Sequence, residues 1–270
     1  MSAAPSSLLP RAARLAVWGR AALQGRASWS QASAAASRDD EPHDAVAVAP
    51  VLEGVPADGA VPGGLDGVLS LLRVRGLASV QVVLPAPGDL VGLPGPPATN
   101  LAATDAGECL LADLTDGVRV ALVPDVRRFG SPLEPGHLVT WRVLEADPRP
   151  IPNVTGLADA DRELRTGLLE AIEELSRLDV ASWREEAAAD LEFVRTGALP
   201  GWLLPPGTRA RQVAVLASAL KVRVIVRLAR RDAGGSLGAW DAGRREEVLR
   251  RLDGVARRAM VAACNDPGDA

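Results

Sequence analysis

The chain has 270 residues, 47% of them apolar and 24% charged, with a formal net charge of −4. That length supports one large domain or two modest ones, and the apolar share supplies a core of ordinary globular size. No run of 18 apolar residues occurs, which excludes a membrane-spanning helix, and two cysteines (Cys109 and Cys264) exclude a disulfide framework.

Residues 1–26 read as an amphipathic helix, with Leu8, Ala12, Leu15, Ala22 and Leu23 on one stripe and the arginines mostly outside it. The first 38 residues are rich in Arg and Ser and hold no acid, the composition of a transit peptide. Docking of the helix on the domain is favoured over targeting, with membrane-surface binding a weaker third reading. Residues 27–44, "ASWSQASAAASRDDEPHD", lack periodicity and read as a linker.

Residues 45–150 carry the strand signals. "AVAVAPVL" is an edge strand or no strand, because Pro50 removes a ladder donor. Asp58–Gly64 reads as a turn. Leu65, Leu69 and Leu72 then repeat at helical spacing, and Gly76 stands where that helix stops. "SVQVVLP" is a strand. Strands at 108–114, 118–124 and 138–145 follow, with Asp116-Gly117 as a hairpin turn, and their short connections predict an antiparallel meander. Val139, Trp141 and Val143 form the buried face of the last strand.

Between the first of these strands and the meander lies "VVLPAPGDLVGLPGPPATN", Val82–Asn100, too long for an ordinary connection and stiffened by prolines. Asp89, Pro94, Pro96, Pro97, Thr99 and Asn100 are its candidate ligand- or partner-contacting residues. Thr99 or Asn100 is also the expected N-cap of a short helix over "LAATDAG".

Residues 158–265 read as a helical bundle, and 266–270 as a tail. Leu164, Leu168, Ala171, Ile172, Leu175 and Leu178 form one stripe. Ser182 and Glu185 form a capping box for a helix ending near Gly197, and Thr208 is a candidate cap for residues 209–231. In that helix Val213, Leu216, Leu220, Val224 and Leu228 keep a 3.6 period. The last helix turns Val248, Leu252, Val255, Ala259 and Ala263 inward.

Familiar chemistries are missing. His43 (in the linker) and His137 (before a strand) are too few for a histidine metal site, and no C-x-x-C pair adds ligands. No nucleophile elbow or phosphate-binding loop appears. Cys109 with His137 is the one nucleophile–base pairing to weigh, and a partly exposed polar role for His137 is favoured over it. Asn153-Val154-Thr155 matches a glycosylation sequon by chance. No catalytic residue, metal or cofactor follows, and the chain leans away from an enzyme.

The charge map says more. Residues 161–208 hold 10 acids and 5 bases, whereas 209–264 hold 13 bases and 5 acids. Arg244, Arg251 and Arg258 recur every seven residues, with Arg223 and Arg227 on the preceding helix, making a basic stripe. Such a stripe binds phosphates or answers acidic helices. The protein-facing or internal reading is favoured over nucleic acid, since Trp240 is the one aromatic residue among these arginines.

A single lysine, Lys221, among 30 basic residues, no tyrosine and abundant Ala, Gly and Pro mark a high-GC genome. The amphipathic N-terminus, "LPAPGDLVGLPGPPATN", "HLVTWRVLEA" and "RRAMVAAC" together resemble a family of conserved actinobacterial proteins of unassigned function. The resemblance implies no activity.

The sequence thus predicts an α+β fold: an N-terminal helix and a small antiparallel sheet, then a C-terminal bundle of about four helices. The function is unassigned. A non-catalytic interaction or regulatory protein of the cytoplasm, binding a protein partner or itself through helical and stiff-loop surfaces, is the leading reading. The alternative is a small-molecule binder or enzyme with a pocket between sheet and bundle near 85–100.

Overall fold

The computed structural model describes residues 9–38, 40–131, 135–148, 155–176, 188–231 and 239–267. The chain divides into two compact units. One comprises Leu9–Val154 with Gly201–Thr208, and the other includes Thr155–Pro200 and Arg209–Ala270.

The first unit opens with α1 (Arg11–Leu23) and α2 (Trp29–Ser37), continues through β1 (Asp44–Ala47), β2 (Gly59–Ala60), α3 (Gly64–Val74) and β3 (Leu77–Val83), and closes with α4 (Pro97–Ala106), β4 (Cys109–Leu114), β5 (Arg119–Gly130) and β6 (Pro135–Ala146). Its six strands form one sheet in the order β2-β1-β6-β5-β4-β3. β3 to β6 are antiparallel neighbours, as the meander expectation requires. β1, however, runs parallel to β6, and it is flanked by the two-residue β2, so it is not the edge strand expected from Pro50. Pro50 lies beyond the end of β1 and removes nothing from the ladder.

Each face of the sheet is covered. Val80 and Ala112 pair across β3 and β4 and share a face with Leu122, Trp141 and Val143. α1 covers that face closely enough that a Cβ on Gly19 would lie 3.3 Å from Val80. On the other face, Leu111, Ala121, Val123, Leu144 and Ala146 make a core with Ala102 and Ala103 of α4, and Leu93 packs against it.

Three further expectations for this unit change. Within the segment 27–44, read as a linker, residues 29–37 form α2, opened by a complete capping box of Ser28 and Gln31. It buries Ala32, Ser33, Ala35 and Ala36, side chains too small to register as an apolar stripe. α1 buries Ala13, Ala16, Val17 and Trp18 besides Ala12 and Leu15, while Leu23 stays exposed; Leu8 lies outside the described residues. Finally, α4 begins at Pro97, so neither Thr99 nor Asn100 is its cap.

The second unit holds α5 (Leu157–Ser176), α6 (Ala188–Thr196), α7 (Ala210–Arg231) and α8 (Ala239–Asn265). Leu164 and Ala171 are buried as expected, but Ile172 of the same stripe is exposed. α7 buries Val215, Ala219, Val222 and Val226 as well as its expected Leu216, Leu220, Val224 and Leu228, so it is covered on two sides. Leu178, the Ser182–Glu185 box and Asn153 lie outside the described residues.

Segment 201–208, "GWLLPPGT", lies between α6 and α7 in sequence yet belongs to the first unit. There Leu203 is fully buried, its carbonyl accepts from Trp18 Nε1 (3.3 Å), and the Arg38 guanidinium stands 4.4 Å from the Trp202 ring. Arg26 donates to the Pro206 carbonyl (2.9 Å).

Candidate functional site

The Pro-rich segment is held at its base by its own polar groups. Asn100 Oδ1 accepts from the Gly95 amide (2.9 Å), and the Gly95 carbonyl accepts from the Asp147 amide (3.1 Å). Thr99, buried, donates from Oγ1 to the Glu145 carbonyl (2.7 Å). Gly95 has φ +96°, and a Cβ there would meet the Asp147 carboxylate at 2.6 Å, so glycine is required. Pro94 and Pro96 are half-buried and Pro97 is exposed. Asp89 lies apart from them, at a local turn in which it and Ala86 exchange backbone hydrogen bonds of 2.8 and 3.0 Å. Thr99 and Asn100 are therefore occupied in positioning the loop. What the segment turns outward is apolar: Leu90 and Val91 are 54% and 52% exposed, and Leu101 of α4 is 63% exposed.

Sequence reasoning missed a second cluster. Trp141, wholly inaccessible, donates from Nε1 to His43 Nδ1 (3.0 Å), and His43 Nε2 stands 3.2 Å from Asp40 Oδ2. An indole nitrogen only donates, so His43 Nδ1 is the acceptor and Nε2 carries the proton toward Asp40. Arg11 bonds both oxygens of Asp40, at 2.7 and 2.8 Å, and His137 Nδ1 lies 3.3 Å from Oδ1. Burial by itself would raise the Asp40 carboxyl, but hydrogen bonds from His43 and Arg11, with the guanidinium charge, hold it well below the ordinary carboxylate range. Backbone packing fixes the cluster further, since the His43 carbonyl accepts from the Leu65 amide (3.0 Å) and leaves no room for a Cβ on Gly64.

This arrangement orients groups rather than activating them. Both nitrogens of His43 are committed, so it cannot take a proton from a substrate without breaking the Trp141 bond. Cys109 is no nucleophile either: burial, then the neighbouring Glu108 charge, pushes its thiol up to about 12. It faces the Leu110 carbonyl while His137 faces Asp40, so the two do not pair. Glu108 itself accepts from the Ala12 amide at 2.6 Å, a carboxylate at the start of α1 where the helix dipole favours it. The spacing Asp40-x-x-His43 and the indole on an inward strand position were the visible signals. A linker assignment for 27–44 concealed them.

In the helical unit, Arg251 of α8 donates to Glu174 of α5 (2.8 Å), Arg244 reaches the same carboxylate at 4.0 Å, and Arg258 stands 4.0 Å from Glu163. Arg223 of α7 reaches Asp253 of α8 (3.3 Å), and Arg230 bonds Glu246 (2.8 Å). Arg227 is half-buried along α7. Arg223, Arg230, Arg244, Arg251 and Arg258 thus meet acids from neighbouring helices of their own unit.

Among the described residues no group of three or more His, Cys, Asp or Glu side chains is placed to hold a metal ion, and no helix is long and apolar enough to cross a membrane. By fold the protein is a mixed α+β chain, with eight helices and one six-stranded sheet among its described residues. It belongs to the Rv1486c-like family: residues 12–155 match the family's N-terminal domain and residues 158–261 its C-terminal domain. It is 29% identical to two Mycobacterium tuberculosis proteins, the uncharacterized proteins MT1533 and Rv1486c, over 92% of this chain and 94% of each relative. The actinobacterial resemblance read from the sequence is therefore correct, and it brings no assigned function. No solved structure matches the chain.

Proposed function

We propose that the protein is a non-catalytic interaction protein, and that the loop preceding α4 is one of its partner-binding surfaces. One observation carries this reading: Thr99 and Asn100 hold the loop rigid from within, while Leu90, Val91 and Leu101 face solvent. Exposed apolar groups on a fixed backbone suit protein recognition, because little ordering remains to oppose binding. Beneath the loop, Leu93 rests on an apolar core instead of convergent polar groups, which supports a partner surface over a small-molecule pocket. The α8 arginines facing acids of α5 support a protein or internal role for the stripe over phosphate binding.

The test is affinity purification from the native cell at low and high salt, with wild-type chain and with Leu90→Asp/Val91→Asp. A protein recovered at both salts by wild type and lost in a variant of unchanged melting temperature supports the loop surface. Recovery unaffected by the double change, or no protein above background, overturns it.

A further inference from the structure

β5 and β6 continue well past the rest of the sheet. β4 pairs with β5 only from Arg119 to Leu122, and β1 pairs with β6 only from Thr140 to Val143, yet the β5–β6 ladder runs on to Gly130 and Pro135. Residues 125–130 of β5 are exposed throughout. The hairpin is therefore an arm with one side of β5 uncovered.

The direction of each β5 amide follows from its neighbours. The Leu114 amide donates to the Val118 carbonyl, which turns the even-numbered residues of this strand toward β4. The Val48 amide donates to the Val143 carbonyl, and that of Glu41 to the His137 carbonyl, so Val143 and His137 turn away from β5. Their partners Leu122 and Arg128 must then also turn outward. All three bonds give the same parity: Val126 and Arg128 point N–H and C=O away from β6. No described residue bonds them there. Pro124 shares this outward parity, a position where a missing N–H costs the ladder nothing.

The side chains of the arm define the occupant. Arg127 and Arg128, adjacent in sequence and so on opposite faces, form no ion pair with any described residue. Beside Arg127 on its face lie Phe129 and Leu138, 45% and 49% exposed, and beside Arg128 lies Val126. The Phe129 ring sits over Gly136, where a Cβ would come within 2.4 Å of it, so the aromatic is held in place on the arm.

We infer that the outer edge of β5, from Val126 to Gly130, takes an extended acidic segment of a protein partner as an added strand. Backbone bonds to Val126 and Arg128 supply the pairing, and side chains opposite residues 126–129 run apolar, acidic, acidic, apolar. A second copy of this chain fits less well. The register that sets Asp125 of one copy against Arg127 of the other carries Gly130 opposite Leu122, which β4 already pairs. The inference does not rest on the loop reading, since the residues differ.

The probe is a fluorescein-labelled octapeptide with a central Val-Glu-Glu-Val, which reads alike in both strand directions, followed by anisotropy on the full chain. Its Val-Lys-Lys-Val counterpart is the control. Wild type is expected to bind the acidic peptide saturably and at least about tenfold more tightly than the basic one. Val126→Pro removes an outward N–H without touching the β6 ladder, so it should lose the acidic peptide while circular dichroism stays native. Arg127→Glu/Arg128→Glu should reverse the preference between the two peptides, and this holds the inference to account even if the proline variant misfolds. Equal affinity for both peptides, binding that survives Val126→Pro in a native fold, or a charge-reversed arm with unchanged preference overturns the inference. A wild-type dimer that Val126→Pro dissociates likewise overturns the acidic partner, in favour of a second copy.

Discussion

Replacing Trp141 by phenylalanine isolates the hydrogen bond at the centre of the buried cluster from the packing around it. Trp141 has no accessible surface, lies between Ala45 of β1 and Pro124 of β5, and gives its only side-chain donor to His43 Nδ1 at 3.0 Å. Phenylalanine keeps most of the apolar contact but leaves a buried imidazole nitrogen without its donor, at a cost of about 1–3 kcal/mol. Alanine also empties a large aromatic site and should cost roughly 3–5 kcal/mol or more. Urea denaturation followed by circular dichroism gives both values, and 15N shifts of the His43 ring report the tautomer. Wild type should show the proton on Nε2, and the phenylalanine variant a ring no longer confined to that form. A phenylalanine variant within about 0.5 kcal/mol of wild type, the scatter of surface substitutions, would refute the role given to this bond.

Asp40→Asn should destabilise by about 3 kcal/mol near neutrality, because it leaves Arg11 without its buried counter-charge. The folded Asp40 carboxyl is depressed, so its contribution is complete above the unfolded carboxyl value near about 4 and is lost as pH falls through the folded one. Urea midpoints of wild type and variant should therefore converge toward pH 2; a constant gap would count against the depressed carboxyl. Gly95→Ala should lower stability by roughly 1–3 kcal/mol in thermal melts, since its φ is +96° and Asp147 crowds the new carbon. The triple change Arg244→Gln, Arg251→Gln and Arg258→Gln should lower stability modestly, each solvated pair being worth up to about 1 kcal/mol. Wild-type retardation of nucleic acid at near-physiological salt, abolished by that triple change, would reverse the reading of the stripe.

Much of this architecture was legible because large side chains announce their period. Leu65, Leu69 and Leu72 marked α3, Val139, Trp141 and Val143 marked the buried face of β6, and Asp116-Gly117 marked the hairpin, where Gly117 takes φ +84°. Where burial is carried by small residues the signal fails. α2 packs alanines and a serine, so its helix shows only through the Ser28–Gln31 capping box. The far half of β5 lies beyond the strand predicted at 118–124 for the opposite reason: "DVRRFG" is exposed on both faces and alternates with nothing.

The candidate surfaces divide along the same physical line. Thr99 and Asn100 were singled out as polar groups in a stiff loop, but a polar side chain in such a loop has two uses, and sequence alone cannot separate them. It can meet a ligand, or it can satisfy backbone groups that the turn itself strands. Here the Gly95 amide and the Glu145 carbonyl need those partners, so the polar groups turn inward. In the proposed partner surface, recognition on this loop falls to the residues with nothing to satisfy, Leu90 and Val91. The β5 arm follows the same rule at the level of the backbone. Once a ladder ends on one side, the strand's own amides become the unsatisfied groups, and the side chains beside them, Arg127, Arg128 and Phe129, decide what can complete the sheet.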